Sequence, residues 1–195
     1  MFAAIILIAC AYLLGSVPSG YLLGKLAGTD VRRVGSGNIG ATNVARALGM
    51  LSGVLTLVAD AAKGYLPVYL ALHFGLSEVV VASTAIAAFL GHLYPLFLKF
   101  QGGKGVATTL GALMAVAPTA ALVLVLVFAG VVFVCRIVSL GAIAAAVAAP
   151  LILWLFYQPP VIVTMGLFLG AMVILRHHGN IRRLLAGTEP RFGER

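Results

Sequence analysis

The stretch VATTLGALMAVAPTAALVLVLVFAGVVFVC, residues 106–135, carries no charged side chain along its whole length. A helix that crosses the hydrocarbon core of a membrane needs roughly 20 consecutive apolar residues, so this stretch is either one long span or two short ones. Pro118 lies inside it, and proline lacks the backbone N–H that an uninterrupted helix uses. We therefore predict a break near residues 117–119, with a helix on each side of it.

The rest of the chain is similarly apolar. Of its 195 residues, 62% are hydrophobic and 9% are charged, which leaves too few polar groups to cover a water-soluble protein. Backbone groups that face lipid must bond within their own segment, so each span is expected to be a helix. The predicted fold class is all-α: a polytopic integral membrane protein with about seven transmembrane helices, forming one domain over residues 1–195. Besides the two helices of 106–135, the predicted spans are 3–24, 51–73, 79–98, 138–157 and 160–176.

Positive charge sets the predicted orientation. The net charge is +8, and Lys and Arg collect in the loops on the cytoplasmic side of membrane proteins. If 106–135 forms two helices, the polar segments 25–50 and 99–105, Arg136 and the tail 176–195 all lie on one side. That side is predicted to be cytoplasmic, with the N-terminus outside and the C-terminus inside.

Small residues recur every four positions near the first and last spans. Such spacing lets helix backbones approach closely, so we interpret these residues as packing positions rather than catalytic ones. They are Ser16, Gly20 and Gly24 in the first segment, and Gly166 and Gly170 in the last.

Two glycine-rich loops interrupt the apolar pattern. The first, GSGNIGATNVAR at 35–46, combines glycines that permit tight turns with Arg46, whose forked guanidinium suits phosphate. The second, GGKG at 102–105, could form a nest of backbone N–H groups beside Lys104, and the following helix would aim its positive end at the same anion. The second loop does not fit a Walker A motif, because Gly105 follows Lys104 where that motif has Ser or Thr. The alternatives are a flexible connector for the first loop and an interfacial turn with a snorkelling lysine for the second.

The tail RHHGNIRRL, residues 176–184, adds further polar groups at the end of the last span. A histidine here could act as a base, or as an anion donor when protonated. Arg182 and Arg183 are also explained by simple anchoring to lipid headgroups.

Asp60, Lys63 and His92 are ionisable residues in the interior of apolar segments. Asp60 and Lys63 are three positions apart and are predicted to form a buried ion pair that shapes the site. His92 is predicted to face protein rather than lipid, in a structural or supporting role.

Several function classes are excluded by what the chain lacks. No two carboxylates are spaced for glycosidase or two-metal chemistry, and no Cys/His cluster has metal-ligand spacing. Cys10 and Cys135 are expected at different membrane depths, so no disulfide is predicted. No basic run interleaves with aromatics, as in nucleic-acid binding. The remaining polar groups predict a neutral-to-basic pocket that holds at least one phosphate.

Four segments, in this order, resemble the signatures of the PlsY family of bacterial acyl-phosphate:glycerol-3-phosphate acyltransferases. They are GSGNIGATNVARALG, DAAKG, GHLYPLFLKFQGGKGVAT and RHHGNIRRLL, and the resemblance covers about residues 12–186. It implies an enzyme of the bacterial inner membrane with its active site on the cytoplasmic side. The implied reaction moves a fatty acyl group from acyl phosphate to the 1-hydroxyl of glycerol 3-phosphate. This gives lysophosphatidic acid and phosphate, in the first acylation of phospholipid biosynthesis.

The resemblance also implies the partners and the site residues. Glycerol 3-phosphate, acyl phosphate and membrane lipids are the expected partners; no cofactor, metal, nucleic acid or obligate protein partner is expected. Many relatives have a charged residue where this chain has His178 and Gly179, which leaves two candidates for the active histidine. We favour His177 because it precedes Asn180 by three residues and would share a helical face with it. The implied catalytic residues are Lys104, His177 and Asn180, and the implied substrate-binding residues are Ser36, Asn38, Thr42, Asn43, Arg46, Gly103 and Gly105, with Gly40, Thr42 and Asn43 shaping the first loop.

The implied mechanism is direct attack of the hydroxyl on an already activated carbonyl, with Lys104 and glycine N–H groups stabilising the departing phosphate. The proton goes to His177 or to a substrate phosphate oxygen; the second is favoured because no carboxylate is evident beside His177. A transporter of phosphate esters is the rival function, although no internal repeat of the transporter kind is present. A purely structural membrane subunit would leave the polar motifs unexplained.

Overall fold

The computed structural model describes residues 2–193, and all regular structure in that range is helical. Two short 3₁₀ turns, Val31–Arg33 and Leu96–Leu98, accompany the α-helices. The α-helices in chain order are α1 (Phe2–Gly15), α2 (Ser19–Leu26), α3 (Ala41–Leu48), α4 (Met50–His73), α5 (Glu78–Leu93), α6 (Val106–Val116), α7 (Pro118–Cys135), α8 (Val138–Leu155), α9 (Pro160–Arg176) and α10 (His178–Leu185). The all-α prediction is confirmed for the described residues.

The predicted break in the long apolar stretch is confirmed. α6 ends at Val116, and α7 begins with Pro118 in its first turn, where the missing N–H costs no helical hydrogen bond. α6 has 11 residues and so rises about 16 Å, roughly half of the hydrocarbon thickness of about 30 Å. It is the shortest of the apolar helices that follow the second glycine-rich loop.

The described residues contain five helical segments long and apolar enough to cross a membrane. α1 and α2 together count as one of these, from Phe2 to Leu26. The pair α9 and α10, which bends by 60°, makes a sixth if it is one span. The protein therefore has the architecture of a multi-span helical membrane protein, while the count of seven stays a prediction.

The chain divides into two compact units, Met1–Val116 and Ala117–Arg195. In the first unit, glycines let helices meet backbone to backbone. A Cβ at Gly15 would overlap the carbonyl of Ala88 on α5, and one at Gly91 would overlap the carbonyl of Tyr12 on α1. The same reciprocal arrangement joins α4 to α6 through Gly64 and Gly111. Close contact of this kind drives helix association where the hydrophobic effect does not act.

The predicted packing residues of the first segment do pack, but on a loop. Pro18 interrupts the segment, so α1 and α2 are separate helices. Gly20 on α2 abuts the carbonyl of Ile39, and Gly24 leaves room for Val31. α2 thus supports the first glycine-rich loop directly.

The second unit contains α7 to α10. α8 packs between α7 and α9. Gly166 on α9 accommodates the side chain of Leu153, and Gly170 lies against the carbonyl of Ala146. These two glycines therefore have the packing role that their spacing predicts.

Candidate active site

The first glycine-rich loop is organised around Asn43. Its side chain is 2% exposed, accepts a hydrogen bond from the Ser36 N–H at 2.9 Å, and donates to the carbonyls of Val31 (2.9 Å) and Asn38 (2.8 Å). Both amide hydrogens are therefore used inside the loop. Asn43 holds three points of the loop together, and its contacts are those of a residue that shapes the loop.

The other predicted polar residues of this loop are more accessible. Ser36, Thr42 and Arg46 are exposed, while Asn38 is half-buried and accepts the Gly40 N–H at 2.7 Å at the start of α3. Arg46 forms no salt bridge within the described part of the chain. No carboxylate of the described residues neutralises its charge, and a residue that binds phosphate needs such a charge.

Two glycines of this loop adopt conformations that other residues rarely take. Gly35 has φ +58° and Gly37 has φ +70°. A Cβ at Gly35 would also lie 2.5 Å from Oδ1 of Asn43. Glycine at these positions lets the chain wrap around the Asn43 amide.

Sequence reasoning missed a second arginine that anchors the start of the loop. Arg32 donates through Nε and Nη2 to the two oxygens of Asp30, at 2.9 and 2.8 Å, and its guanidinium lies 4.6 Å from the centre of the Tyr21 ring. The hydrogen bonds from Arg32 lower the pKa of Asp30 to about 2. An acidic residue two positions before an arginine was the available signal. Arg32 therefore ties the turn before the loop to Asp30 and to the Tyr21 ring.

The second glycine-rich loop folds back over the end of α5. Lys99 and Phe100 both have left-handed backbone conformations (φ 52° and 63°), which reverse the chain. The returning N–H groups of Gly102 and Gly103 donate to the carbonyls of Leu93 and His92, both at 3.1 Å. These carbonyls end a helix and have no partner inside it.

This arrangement changes the expected role of the glycine N–H groups. The predicted anion nest included them, but two of them cap α5 instead. Gly105, with φ +83°, accepts the Thr109 N–H at 2.8 Å and so occupies the N-cap position of α6. Of the predicted anion-binding groups, half-buried Lys104 and the positive N-terminal end of α6 are not used in capping α5.

The two loops share a hydrophobic cluster inside the first unit. Leu98, from the 3₁₀ turn before the second loop, packs with Ile39 and Val44 of the first loop and with Val31, which precedes that loop. Tyr21, Ala47 and Leu48 pack against the same cluster. The structure thus brings the two predicted phosphate-binding loops to the same end of this unit.

A buried charge pair lies in the helices of this unit. Asp60 and Lys63 are 3.0 Å apart, which confirms the predicted ion pair. His92 Nδ1 lies 3.8 Å from the same Asp60 oxygen, and Lys63 also donates to the Val17 carbonyl at 2.9 Å. All three side chains are about 4% exposed.

In the second unit, His177 stands at the bend between α9 and α10 and is 2% exposed. Its Nδ1 lies 2.8 Å from the carbonyl oxygen of Val173. A carbonyl only accepts, so Nδ1 carries the proton and Nε2 is the basic nitrogen of the neutral ring. His178, by contrast, is exposed. Sequence reasoning found no carboxylate to orient His177, and a backbone carbonyl does this instead.

Asn180 is buried and is held by a residue that sequence reasoning did not single out. Its Nδ2 donates to Glu189 Oε1 at 2.5 Å, and the same carboxylate accepts from Ser139 at 2.6 Å and Arg183 at 2.7 Å. Burial would raise the pKa of Glu189, but these hydrogen bonds together lower it. The sequence feature that could have indicated this contact is Gly187 (φ +69°), a helix-ending glycine that turns the chain back toward α10.

No group of three or more His, Cys, Asp or Glu side chains within residues 2–193 is arranged to hold a metal ion. The first unit offers the cations Arg46 and Lys104, and the second offers a buried histidine and one hydrogen-bonded carboxylate. Such groups suit the binding of a phosphate-bearing substrate.

Apolar helices that carry two packed, glycine-rich basic loops define a multi-span membrane protein suited to anionic substrates. Comparison with known proteins then identifies the family. The model of the family described as "Glycerol-3-phosphate acyltransferase" matches residues 5–187. The chain belongs to the glycerol-3-phosphate acyltransferase family and is an acyltransferase.

Individual relatives match along nearly their full length. A glycerol-3-phosphate acyltransferase of Trichlorobacter lovleyi is 51% identical over 98% of this chain and 99% of its own, and one of Geotalea daltonii is 48% identical with the same coverage. The crystal structure of PlsY, an integral membrane glycerol 3-phosphate acyltransferase, in its glycerol 3-phosphate form has a TM-score of 0.95 and 47% identity. It covers 98% of this chain and 96% of its own. The lysophosphatidic acid form of PlsY has a TM-score of 0.93 and 46% identity, with the same coverage.

Proposed function

We propose that the protein transfers a fatty acyl group from acyl phosphate to the 1-hydroxyl of glycerol 3-phosphate, releasing lysophosphatidic acid and phosphate. The observation that carries this proposal is the packing of Leu98, from the turn that leads into the second basic loop, with residues of the first. The first loop contributes Arg46 and the second Lys104, so the first unit offers two cations for substrates that each bear a phosphate. The solved structures of PlsY with glycerol 3-phosphate and with lysophosphatidic acid support it.

Within the first loop, the proposed direct contacts are the more exposed groups. Ser36, Asn38, Thr42 and Arg46 present hydroxyls, an amide and a guanidinium to phosphate and glycerol. Asn43, which the resemblance also places among the binding residues, acts through the loop that it holds. This division follows from the hydrogen bonds that already occupy the Asn43 amide.

In the second loop, Lys104 is proposed to bind and stabilise the phosphate that leaves. Gly103 and Gly105 place the lysine and the first turn of α6, where the helix dipole adds positive potential. In the second unit, His177 and Asn180 are the proposed catalytic residues. His177 would act through Nε2, and Asn180 through its side-chain amide, which a hydrogen bond to Glu189 holds in place.

The proposed step exchanges one C–O bond of the acyl group for another and moves one proton. The 1-hydroxyl oxygen attacks the carbonyl carbon, and the bond from that carbon to the phosphate oxygen breaks, with its electron pair leaving on phosphate. The hydroxyl proton passes to a substrate phosphate oxygen or, in the alternative mechanism, to Nε2 of His177. The mixed anhydride is already activated, so the protein needs to position and neutralise rather than to form a covalent intermediate.

We also propose the membrane arrangement that the charges predict. The chain crosses a bacterial inner membrane seven times, with α6 as a short fourth pass, the N-terminus outside and the site on the cytoplasmic side. The whole chain acts as one domain, without a cofactor, a nucleic acid or an obligate protein partner. The family match supports the single domain because it runs through both compact units.

The deciding experiment is an assay of the purified chain in lipid nanodiscs with acyl phosphate and glycerol 3-phosphate. We expect lysophosphatidic acid from acyl phosphate and none from acyl-CoA as the matched donor. Lys104→Ala should lower kcat/KM at least about a hundredfold, the size expected when a group that stabilises a leaving charge is lost. A Lys104→Ala protein with full activity would contradict the role of the second loop, and activity with acyl-CoA alone would contradict the donor.

A further inference from the structure

We infer that His92 is a positioning residue for Lys104, and that Gly103 is glycine because the His92 ring lies against it. This inference rests on the proposed function, since it assigns a role to the loop that binds the phosphate. It adds to that function a buried network that sets where the lysine stands.

The first step is the contact between His92 and the loop. The Gly103 N–H donates to the His92 carbonyl at 3.1 Å. The imidazole of the same residue also covers Gly103, because a Cβ there would overlap Nε2 and lie 2.8 Å from Cε1. The residue immediately before Lys104 therefore rests on both the backbone and the side chain of His92.

The second step is what fixes the ring. Nδ1 of His92 lies 3.8 Å from Oδ1 of Asp60, an electrostatic contact rather than a hydrogen bond. Asp60 is in turn 3.0 Å from Lys63. These groups are almost completely buried, so their mutual attraction is weakly screened. The ion pair on α4 thus constrains a ring on α5.

The third step joins this network to the first loop. Lys63 donates to the carbonyl of Val17 at the break between α1 and α2. α2 then contacts the first loop, where Gly20 abuts the carbonyl of Ile39. A continuous chain of contacts runs from one phosphate-binding loop, through the buried ion pair, to the other.

Gly103 is the position where this arrangement differs from an ordinary binding loop. A glycine in a binding loop is usually explained by close approach of a ligand. Here the space beside Gly103 is filled by the imidazole. Gly103→Ala should therefore weaken substrate binding only while a rigid ring occupies residue 92.

The experiment is a double-mutant cycle on purified protein, with the KM for glycerol 3-phosphate, the KM for acyl phosphate and kcat measured separately. Gly103→Ala in the native background should raise the KM for acyl phosphate, whose phosphate Lys104 is proposed to bind, by about tenfold. An effect of this size is usual for the coupling energy between residues in contact. His92→Ala should raise the same KM by a similar factor, because the lysine loses its support. In the His92→Ala background, Gly103→Ala should add less than about twofold.

Two further variants keep the test decisive. His92→Gln retains a polar group toward Asp60 but is flexible, so it should also tolerate Gly103→Ala and should remain foldable if His92→Ala is not. Thr84→Val removes a buried hydroxyl from the same helix, two turns away, where Thr84 bonds to the Val80 carbonyl at 2.8 Å. It should change neither KM.

Equal effects of Gly103→Ala in the native, His92→Ala and His92→Gln backgrounds would overturn the inference, since the glycine would then serve the substrate. An unchanged KM in His92→Ala would also overturn it. In both cases the native protein still makes lysophosphatidic acid. Failure of the proposed function is distinct, because the native protein itself would then be inactive with acyl phosphate.

Discussion

At the scale of single residues, some candidate binding groups are held in place by polar side chains whose hydrogen bonds are made within the protein. Asn43 and Glu189 each collect three hydrogen bonds and thereby fix groups proposed to meet substrate, Ser36 in one case and Asn180 in the other. Such residues are hard to separate from ligands by sequence, because both kinds are polar and stand in the same motifs. The hydrogen-bond partners, which depend on the folded loop, make the distinction.

Asn43→Ala tests the first of these residues. It removes the donor to the Asn38 carbonyl, one of two donors to the Val31 carbonyl, and the acceptor of the Ser36 N–H, so we expect a loss of stability of about 2–3 kcal/mol. Thermal unfolding in detergent measures this loss. Thr42→Ala, an exposed neighbour on the same helix, should change stability by less than about 0.5 kcal/mol. Equal effects of the two variants would contradict the organising role of Asn43.

Glu189 gives a prediction about pH. Its pKa is lowered in the folded protein, so the ionised carboxylate favours folding, and this contribution is complete above the ordinary value of 4.5 and is lost as the pH falls toward the folded pKa. Glu189→Gln should cost about 2 kcal/mol at pH 7 and should flatten the fall in thermal midpoint below pH 4.5. The measurement is the thermal midpoint of both proteins from pH 7 to pH 3. Parallel curves would show that another group causes the acid sensitivity.

At the scale of elements, the apolar pattern predicts where helices run but not where they touch. Pro118 was enough to predict the break between α6 and α7, because a proline changes the local backbone whatever surrounds it. The fold-back of the second loop was not predictable in the same way. It requires left-handed conformations at Lys99 and Phe100, neither of which is a glycine, so only the tertiary arrangement specifies it.

Helix contact through glycine gives the element-scale prediction. A Cβ at Gly111 on α6 would overlap the carbonyl of Ala61 on α4, so Gly111→Ala should separate the helices and cost about 1–3 kcal/mol. Gly130 on α7 provides the matched control, because a Cβ there meets no atom within 4 Å. Gly130→Ala should leave the thermal midpoint unchanged or raise it slightly. Comparable destabilisation by both would mean that close packing of α4 on α6 is not what Gly111 provides.

At the scale of the whole molecule, composition decided most of what could be predicted. A chain that is 62% hydrophobic and 9% charged has few alternatives to a bundle of apolar helices. The distribution of Lys and Arg predicts on which side of the membrane each loop lies. The number of crossings is harder, because it depends on α6. Hydropathy alone cannot decide whether α6, a helix of 11 residues that follows a polar loop, crosses a membrane. The answer also depends on how neighbouring helices pack around it.

Two loop positions resolve this count, and the proposed topology predicts the answer. Between Ser77 and Tyr157 the chain passes through α5, α6, α7 and α8. If all four cross, the two residues lie on the same side of the membrane; if α6 does not cross, they lie on opposite sides.

The experiment places single cysteines at the exposed residues Ser77, Tyr157 and Gln101. The native Cys10 and Cys135 are first replaced by alanine. Intact cells are then labelled with a maleimide that does not cross membranes. We expect labelling at 77 and 157 and none at 101 until the membrane is permeabilised. Labelling at 77 without labelling at 157 would reduce the count to six, and the reverse of the whole pattern would place the two glycine-rich loops outside the cell.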